Sequence, residues 1–232
     1  MTELQEEVVE IIERELLYGF MEEDELLEEV LETFADDDVD PTWIGVEVNK
    51  RYAERLREIE EWDPEEANDF DRLANAFDEL CERHQLIALH RAGYSAEDGI
   101  EEVTEAFKAL AERGVSPKGY VFYTTEQLER ATSEKARLDL TFGAVTRADS
   151  EIKKVGYLIV ETLQRYGLDA RWNGSAGDAI KVHEIEWQKE PDDEDWGVER
   201  AVAIISGEDE NAEQQDYDDF EEPEGEEQQS AE

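Results

Sequence analysis

The chain has 232 residues, of which 66 are Asp or Glu and 22 are Lys or Arg, a formal charge of −44. Thirteen of the acids, and no Lys or Arg, fall in 206–232, so −31 stays on the first 205 residues. A body this acidic repels nucleic acid and, in dilute buffer, repels itself.

At molar salt the Debye length falls to about 3 Å and that self-repulsion fades. Lysine is also scarce, 8 against 14 arginines. Acid-rich and lysine-poor together fit a soluble protein of a high-salt cytoplasm, solvated by abundant cations. The rival reading is a specific acidic role, as a mimic of nucleic acid or an inhibitor of a basic toxin. It requires the carboxylates on one face, whereas here they recur through every predicted helix. The lone Cys81 excludes an internal disulfide and a cysteine metal cluster. The first residues, with Glu3, Glu6 and Glu7, lack the basic and apolar regions of a secretory signal. No apolar run approaches the roughly 20 residues of a membrane span.

In chain order, Leu4, Val8, Ile11, Ile12 and Leu16 recur at helical spacing, and Gly19 stops the helix. Leu26, Leu27, Val30, Leu31 and Phe34 form a second stripe, ended by Asp36, Asp37 and Asp38. Asp40-Pro41 restarts a helix, because Asp accepts from free N–H groups and Pro suits the first helical position. Ile44, Val48, Tyr52, Leu56 and Ile59 continue it, and Asp63-Pro64 breaks it. Phe70, Leu73, Phe77, Leu80 and Cys81 mark a fourth helix.

Beyond His84 strands and helices alternate. Strands are predicted over Leu86–His90, Gly119–Tyr123, Leu138–Val145, Leu168–Trp172 and Ala179–Trp187. Helices lie between them: one from Ser95 to Gly114 carrying Ile100, Val103, Phe107 and Leu110, a short one around Leu128, and one from Ile152 to Tyr166. The fold class is α/β (α+β): a helical segment over 1–85, then a mixed β-sheet over 86–189 in the order β-α-β-α-β-α-β-β. The turn at Asn173-Gly174 makes the last two strands antiparallel. Residues 190–205 read as an acidic linker in which Arg200–Ile205 can add an edge strand. The 206–232 tail has the composition of a disordered segment.

From Asp71 to Trp187 a second pattern emerges. Asp71-Arg72-Leu73 and Ala76-Phe77 are followed by Ile87-Ala88-Leu89, Ala92-Gly93-Tyr94-Ser95 and Asp98-Gly99. Gly119-Tyr120-Val121-Phe122-Tyr123, Leu128-Glu129-Arg130-Ala131, Phe142-Gly143-Ala144, Trp172-Asn173-Gly174 and Trp187 complete it. In order and spacing this half of the chain resembles an uncharacterised prokaryotic domain-of-unknown-function family. The resemblance implies no established activity and assigns no catalytic residue. Some members carry cysteines near the position of Leu89–Ser95; this chain has none there, so no metal or redox role follows.

The candidate ligand-binding residues are His90, Arg91, Tyr94 and Ser95 at the first strand-to-helix junction, with Thr124 and Asn173 at later strand ends. Ligands of open α/β sheets bind beyond the carboxyl ends of strands, and a helix start offers N–H groups to an anion. The plainer alternative is that Ser95 caps the helix and Gly93 permits a tight turn, with the shorter Asp98 in the place where a capping box has Glu or Gln. A small enzyme built here requires His90, Ser95 and Thr124 or Asn173 to converge. The histidines His84, His90 and His183 show no metal-ligand spacing, and no P-loop or nucleophile elbow is present. Cys81 lies in an apolar stripe, which reads as packing. The Tyr120, Phe122 and Tyr123 strand lacks the basic neighbours of an RNA-binding sheet, having only Lys118 and Lys135 close by. If Trp172 and Trp187 face each other across the last hairpin they form a cross-strand pair, with core packing as the default reading of both. These readings give a binding or regulatory module with a protein or small-molecule partner, no cofactor, no metal and no nucleic acid. The small enzyme and the acidic inhibitor are the alternatives.

Overall fold

A computed structural model describes residues 1–62, 67–133, 136–146 and 148–208. The predicted break at Asp63-Pro64, Lys135, and the tail from Asp209 onward lie outside the described residues. Helices α1 (Glu3–Tyr18), α2 (Glu23–Thr33) and α3 (Pro41–Ile59) come first, followed by α4 (Asp69–Glu82). The alternating part runs β1 (Leu86–Leu89), α5 (Ala96–Glu112), β2 (Gly119–Phe122), α6 (Thr125–Thr132), β3 (Arg137–Ala144) and α7 (Asp149–Arg165). It ends in β4 (Asp169–Arg171), β5 (Ile180–His183) and α8 (Val198–Ser206).

Local sequence explains the helix ends. Thr2 and Gln5 close a capping box on α1, and Gly19 terminates it at φ 74°. That left-handed conformation is open to glycine without a Cβ penalty. Asp40 caps α3 through Thr42 N at 2.9 Å, with Pro41 in the first turn. Asn68 caps α4 through Asp71 N at 2.9 Å.

The five strands form one mixed sheet in the order β1-β2-β3-β5-β4. Only β1 and β2 run parallel; β2–β3, β3–β5 and β5–β4 are antiparallel. Leu138, Leu140 and Phe142 share a face with Ile180 and Val182 through the β3–β5 register, and all five are buried. Helix α7 covers that face so closely that a Cβ on Gly156 would lie 2.8 Å from Trp172 and 2.9 Å from Phe142. On the opposite face the Phe122 ring fills the space beside Gly99 of α5. Arg137, Asp139, Lys181 and His183 point outward there by strand alternation.

Two apolar clusters result. The larger joins α4, the sheet, α5–α8 and Tyr18 from α1. The smaller is aliphatic and helical: Val8, Ile12, Leu16, Leu26, Val30, Phe34, Ile44 and Val48. Helix α4 therefore packs with the α/β body, its Phe70, Leu73, Phe77, Leu80 and Cys81 all in the larger cluster.

One expectation is corrected. Arg200–Ile205 is not an edge strand but part of helix α8. Val198, Ala201, Val202 and Ile205 recur at helical spacing, and this stripe packs into the larger cluster. Trp172 and Trp187 do not pair across the hairpin, because β5 ends at His183, short of Trp187. Trp172 lies against Phe142 and Tyr157, while Trp187 lies against Phe20, Phe70 and Tyr123.

Candidate functional site at the strand ends

The sequence candidates lead to the carboxyl ends of β1 and β2. His90 follows β1 and is 4% exposed. Its Nδ1 shares a hydrogen bond with the Tyr123 hydroxyl at 3.1 Å, and its backbone N–H donates to Trp196 O at 3.1 Å. The rings of Phe70, Phe77 and Trp196 surround it, with centroids 4.6–5.5 Å away. Its Nε2 has no hydrogen-bond partner among the described residues. Burial first, then the charges of Arg200 and Lys189, push its pKa down to about 3. His90 is thus neutral at ordinary pH. Burial likewise holds the Tyr123 hydroxyl well above its usual range.

Arg91 takes φ 45° and turns towards α1. Its Nη2 donates to Glu15 at 2.5 Å, and its Nε donates to Thr125 Oγ1 at 3.3 Å. The guanidinium also lies 5.3 Å from the Tyr18 ring centroid and 5.7 Å from that of Phe20. Glu15 is 6% exposed, so this ion pair fastens the first helix to the β1 end.

Ser95 accepts from Asp98 N at 3.4 Å, and Asp98 Oδ2 accepts from Ser95 N at 2.8 Å and from Ser95 Oγ at 2.9 Å. The capping box closes even with the short Asp side chain, and those bonds lower the Asp98 pKa. Gly93, at φ 59°, has no room for a Cβ beside Asp98. Tyr94 is exposed, and its carbonyl accepts from Glu126 N at 3.1 Å. Thr124 is buried and caps α6 in a reciprocal box with Gln127. Asn173 lies in the β4–β5 turn, where it accepts from Ser175 N and donates to Asp178 at 2.7 Å.

Strands β1 and β2 thus bring His90, Arg91 and Thr124 to one end of the molecule. Ser95 faces its own cap, and Asn173 belongs to the far edge of the sheet, beyond β3 and β5. His90 bonds to Tyr123 and Ser95 to Asp98, so among the described residues no hydrogen bond joins the pair that the small-enzyme alternative requires. Cys81 is buried, and burial pushes its thiol up to about 12, which suits packing. Among the described residues no group of three or more His, Cys, Asp or Glu could hold a metal ion. No helix among them is long and apolar enough to cross a membrane.

Lys189 is the residue that sequence reasoning missed. It is 1% exposed, and its Nζ lies 4.9–5.0 Å from the ring centroids of Phe20, Phe70 and Trp196. Asp192 accepts from it at 2.6 Å and Glu190 O at 3.1 Å. Burial lowers its pKa against the pull of Asp192. A cation enclosed by three aromatic faces and one carboxylate is favourable once desolvated. Trp187 Nε1 donates to Tyr18 O at 3.2 Å, and the Lys189 carbonyl sits where a Cβ on Gly19 would lie. The 187–196 segment, read from sequence as leading into a solvated linker, is therefore a strap from α1 to the β1 end. Two tryptophans bracketing one lysine in an acidic stretch were the available signal.

With this geometry established, the family comparison has a structural meaning. The family model described as "Domain of unknown function (DUF6891)" matches residues 1–191, and the chain belongs to that family. The match takes in α1–α3 as well as the α/β body, which is wider than the 71–187 stretch of the sequence resemblance. It also includes Lys189 but stops short of Asp192 and Trp196. No curated protein and no solved structure matches the chain.

Proposed function

We propose that the chain is a binding or regulatory module without catalysis, working in a high-salt cytoplasm on a protein or small-molecule partner. One observation carries this reading. The polar side chains at the ends of β1 and β2 are engaged in holding the fold: His90 with Tyr123, Arg91 with Glu15, Ser95 with Asp98 and Thr124 with Gln127. A nucleophile needs an adjacent base to be activated, and Ser95 has only the carboxylate that completes its cap. The strand ends work as a joint between α1, the sheet and the strap.

The high-salt part draws on the spread of acids, which among the described residues occupy the first turns of seven of the eight helices. That spread also disfavours a one-faced mimic of nucleic acid. Two measurements test the proposal. The full chain and its Ser95→Ala and His90→Gln variants are screened on chromogenic ester, amide and phosphoester substrates. Turnover by the full chain that Ser95→Ala abolishes overturns the non-catalytic reading. Melting is then followed across a KCl series. The midpoint is expected to climb into the molar range, and an equal midpoint at low and multi-molar KCl removes the high-salt part.

A further inference from the structure

Among the described residues, Arg55 is a charged group whose best recognition edge is unused. Between α1 and α3 lies a pocket of about 290 Å³, at the small end of ligand-site sizes. Leu16 and Leu17 form its apolar wall, and Arg51 and Arg55 its cationic one. The two arginines differ. Arg51 donates to Glu13 at 3.2 Å and to Glu47. Arg55 gives only Nη1, to Glu58 at 3.2 Å, while its guanidinium stacks 5.0 Å from the Trp62 ring centroid. Its Nε and Nη2 are buried and have no acceptor among the described residues. The side chain as a whole is 12% exposed.

Nε and Nη2 form the edge of a guanidinium that takes a carboxylate through two parallel hydrogen bonds. Buried charged donors without acceptors are costly, so this edge calls for an anionic oxygen pair. The pocket also carries Glu13, Glu54 and Glu58, which leave it net negative and disfavour phosphate. A carboxylate that brings its own ammonium meets both conditions. We propose that the α1–α3 pocket seats a small α-amino acid. Its carboxylate lies on Arg55 Nε and Nη2, its ammonium against Glu13 or Glu54, and an apolar side chain against Leu16 and Leu17. Glu58, two-thirds exposed, releases Nη1 on entry, and the guanidinium turns its buried Nε–Nη2 edge into the pocket.

This inference rests on the binding-module reading but fails separately from it. Calorimetry on the full chain at multi-molar KCl is run with leucine, N-acetylleucine, leucinamide, acetate and inorganic phosphate. Leucine is expected to bind, and removal of either charge, as in N-acetylleucine or leucinamide, to weaken binding at least tenfold. Arg55→Lys keeps the charge but loses the paired donors, and is expected to weaken leucine at least tenfold. Glu13→Gln, which leaves Arg55 in place, is expected to weaken leucine but not acetate. No heat with leucine, equal affinity for acetate or phosphate, or unchanged affinity in a folded Arg55→Lys variant overturns the seat. Absence of leucine binding together with absence of turnover removes the seat and leaves the module. Ser95-dependent turnover removes the module whatever the pocket binds.

Discussion

The helical N-terminal bundle and the α/β body are built on different cores. The bundle buries a short aliphatic stripe of Val, Leu and Ile with a single Phe at its end. The body buries a cluster of rings around β1 and β2, including Phe70, Phe77, Phe122 and Tyr123. The contact between them is different again and includes an ion pair, a caged ammonium and the rings of Tyr18 and Phe20. Cores of one polarity hold each part, and cations facing aromatic rings hold the parts together. This difference lets the joint be loosened without dissolving either side.

The comparison can be broken most forcefully within the cores. Phe77→Ala removes a fully packed ring and is expected to cost about 3–5 kcal/mol, with amide exchange faster throughout the molecule. Ile12→Ala, at about 2–5 kcal/mol, is expected to speed exchange in α1–α3 and leave β1–β3 protected. Uniform acceleration by Ile12→Ala contradicts two separable cores. At the joint, Arg91→Ala strands a buried Glu15 and is expected to cost about 2–3 kcal/mol in urea unfolding. That is less than a fully buried pair, since Arg14 stands 3.5 Å from Glu15. Adding Glu15→Ala is expected to recover part of the loss. If the double variant is no more stable than Arg91→Ala, the stranded charge was not the cause. Lys189→Ala empties the ring cage at about 1–2 kcal/mol and is expected to shift Trp196 fluorescence, whereas an unchanged spectrum places Trp196 elsewhere.

The remaining tests concern single groups. His90 has a folded pKa of about 3 against an ordinary value of 6.5. The unfolded chain therefore binds a proton first as pH falls, so the stabilisation is complete above 6.5 and is lost progressively towards 3. The slope approaches about 1.4 kcal/mol per pH unit within that window. In high salt, to suppress general charge repulsion, His90→Gln is expected to flatten the curve between pH 6.5 and 5. An unchanged slope assigns it to other groups. The smallest effect belongs to Ser95→Ala, about 1 kcal/mol for a lost cap. A loss well beyond that gives Ser95 a role outside its capping box.

Much of this architecture was legible because it is written locally. Asp40 and Ser95 each precede a helix and cap it, and the glycines at 19 and 114 follow helix ends. The strand–helix alternation from Leu86 follows from apolar runs between those signals. What was not legible depends on distant partners. The β3–β5 pairing, which skips β4 in the sheet, is decided by which faces bury Leu138, Leu140, Ile180 and Val182 together. The α8 stripe shows its helical period only when Val198 is read with Ala201, Val202 and Ile205; from Arg200 onward it looks like a strand. Lys189 was hidden for the opposite reason. Surrounded by acids, it reads as a solvated charge until Phe20 and Phe70, far away in sequence, are brought to it. The unsatisfied edge of Arg55 likewise depends on where neighbouring side chains fail to reach.

The hydrogen bond from Trp187 to Tyr18 spans 169 positions. During synthesis the chain emerges at about 5–20 residues per second, so roughly 10–30 s separate the appearance of its two ends. For that interval the first three helices have only their small aliphatic core, and the surface meant for the strap stands open. The joint is therefore also a timer: Arg91 can reach Glu15 early, but the strap's share of the fastening waits until residues 187–196 have left the ribosome.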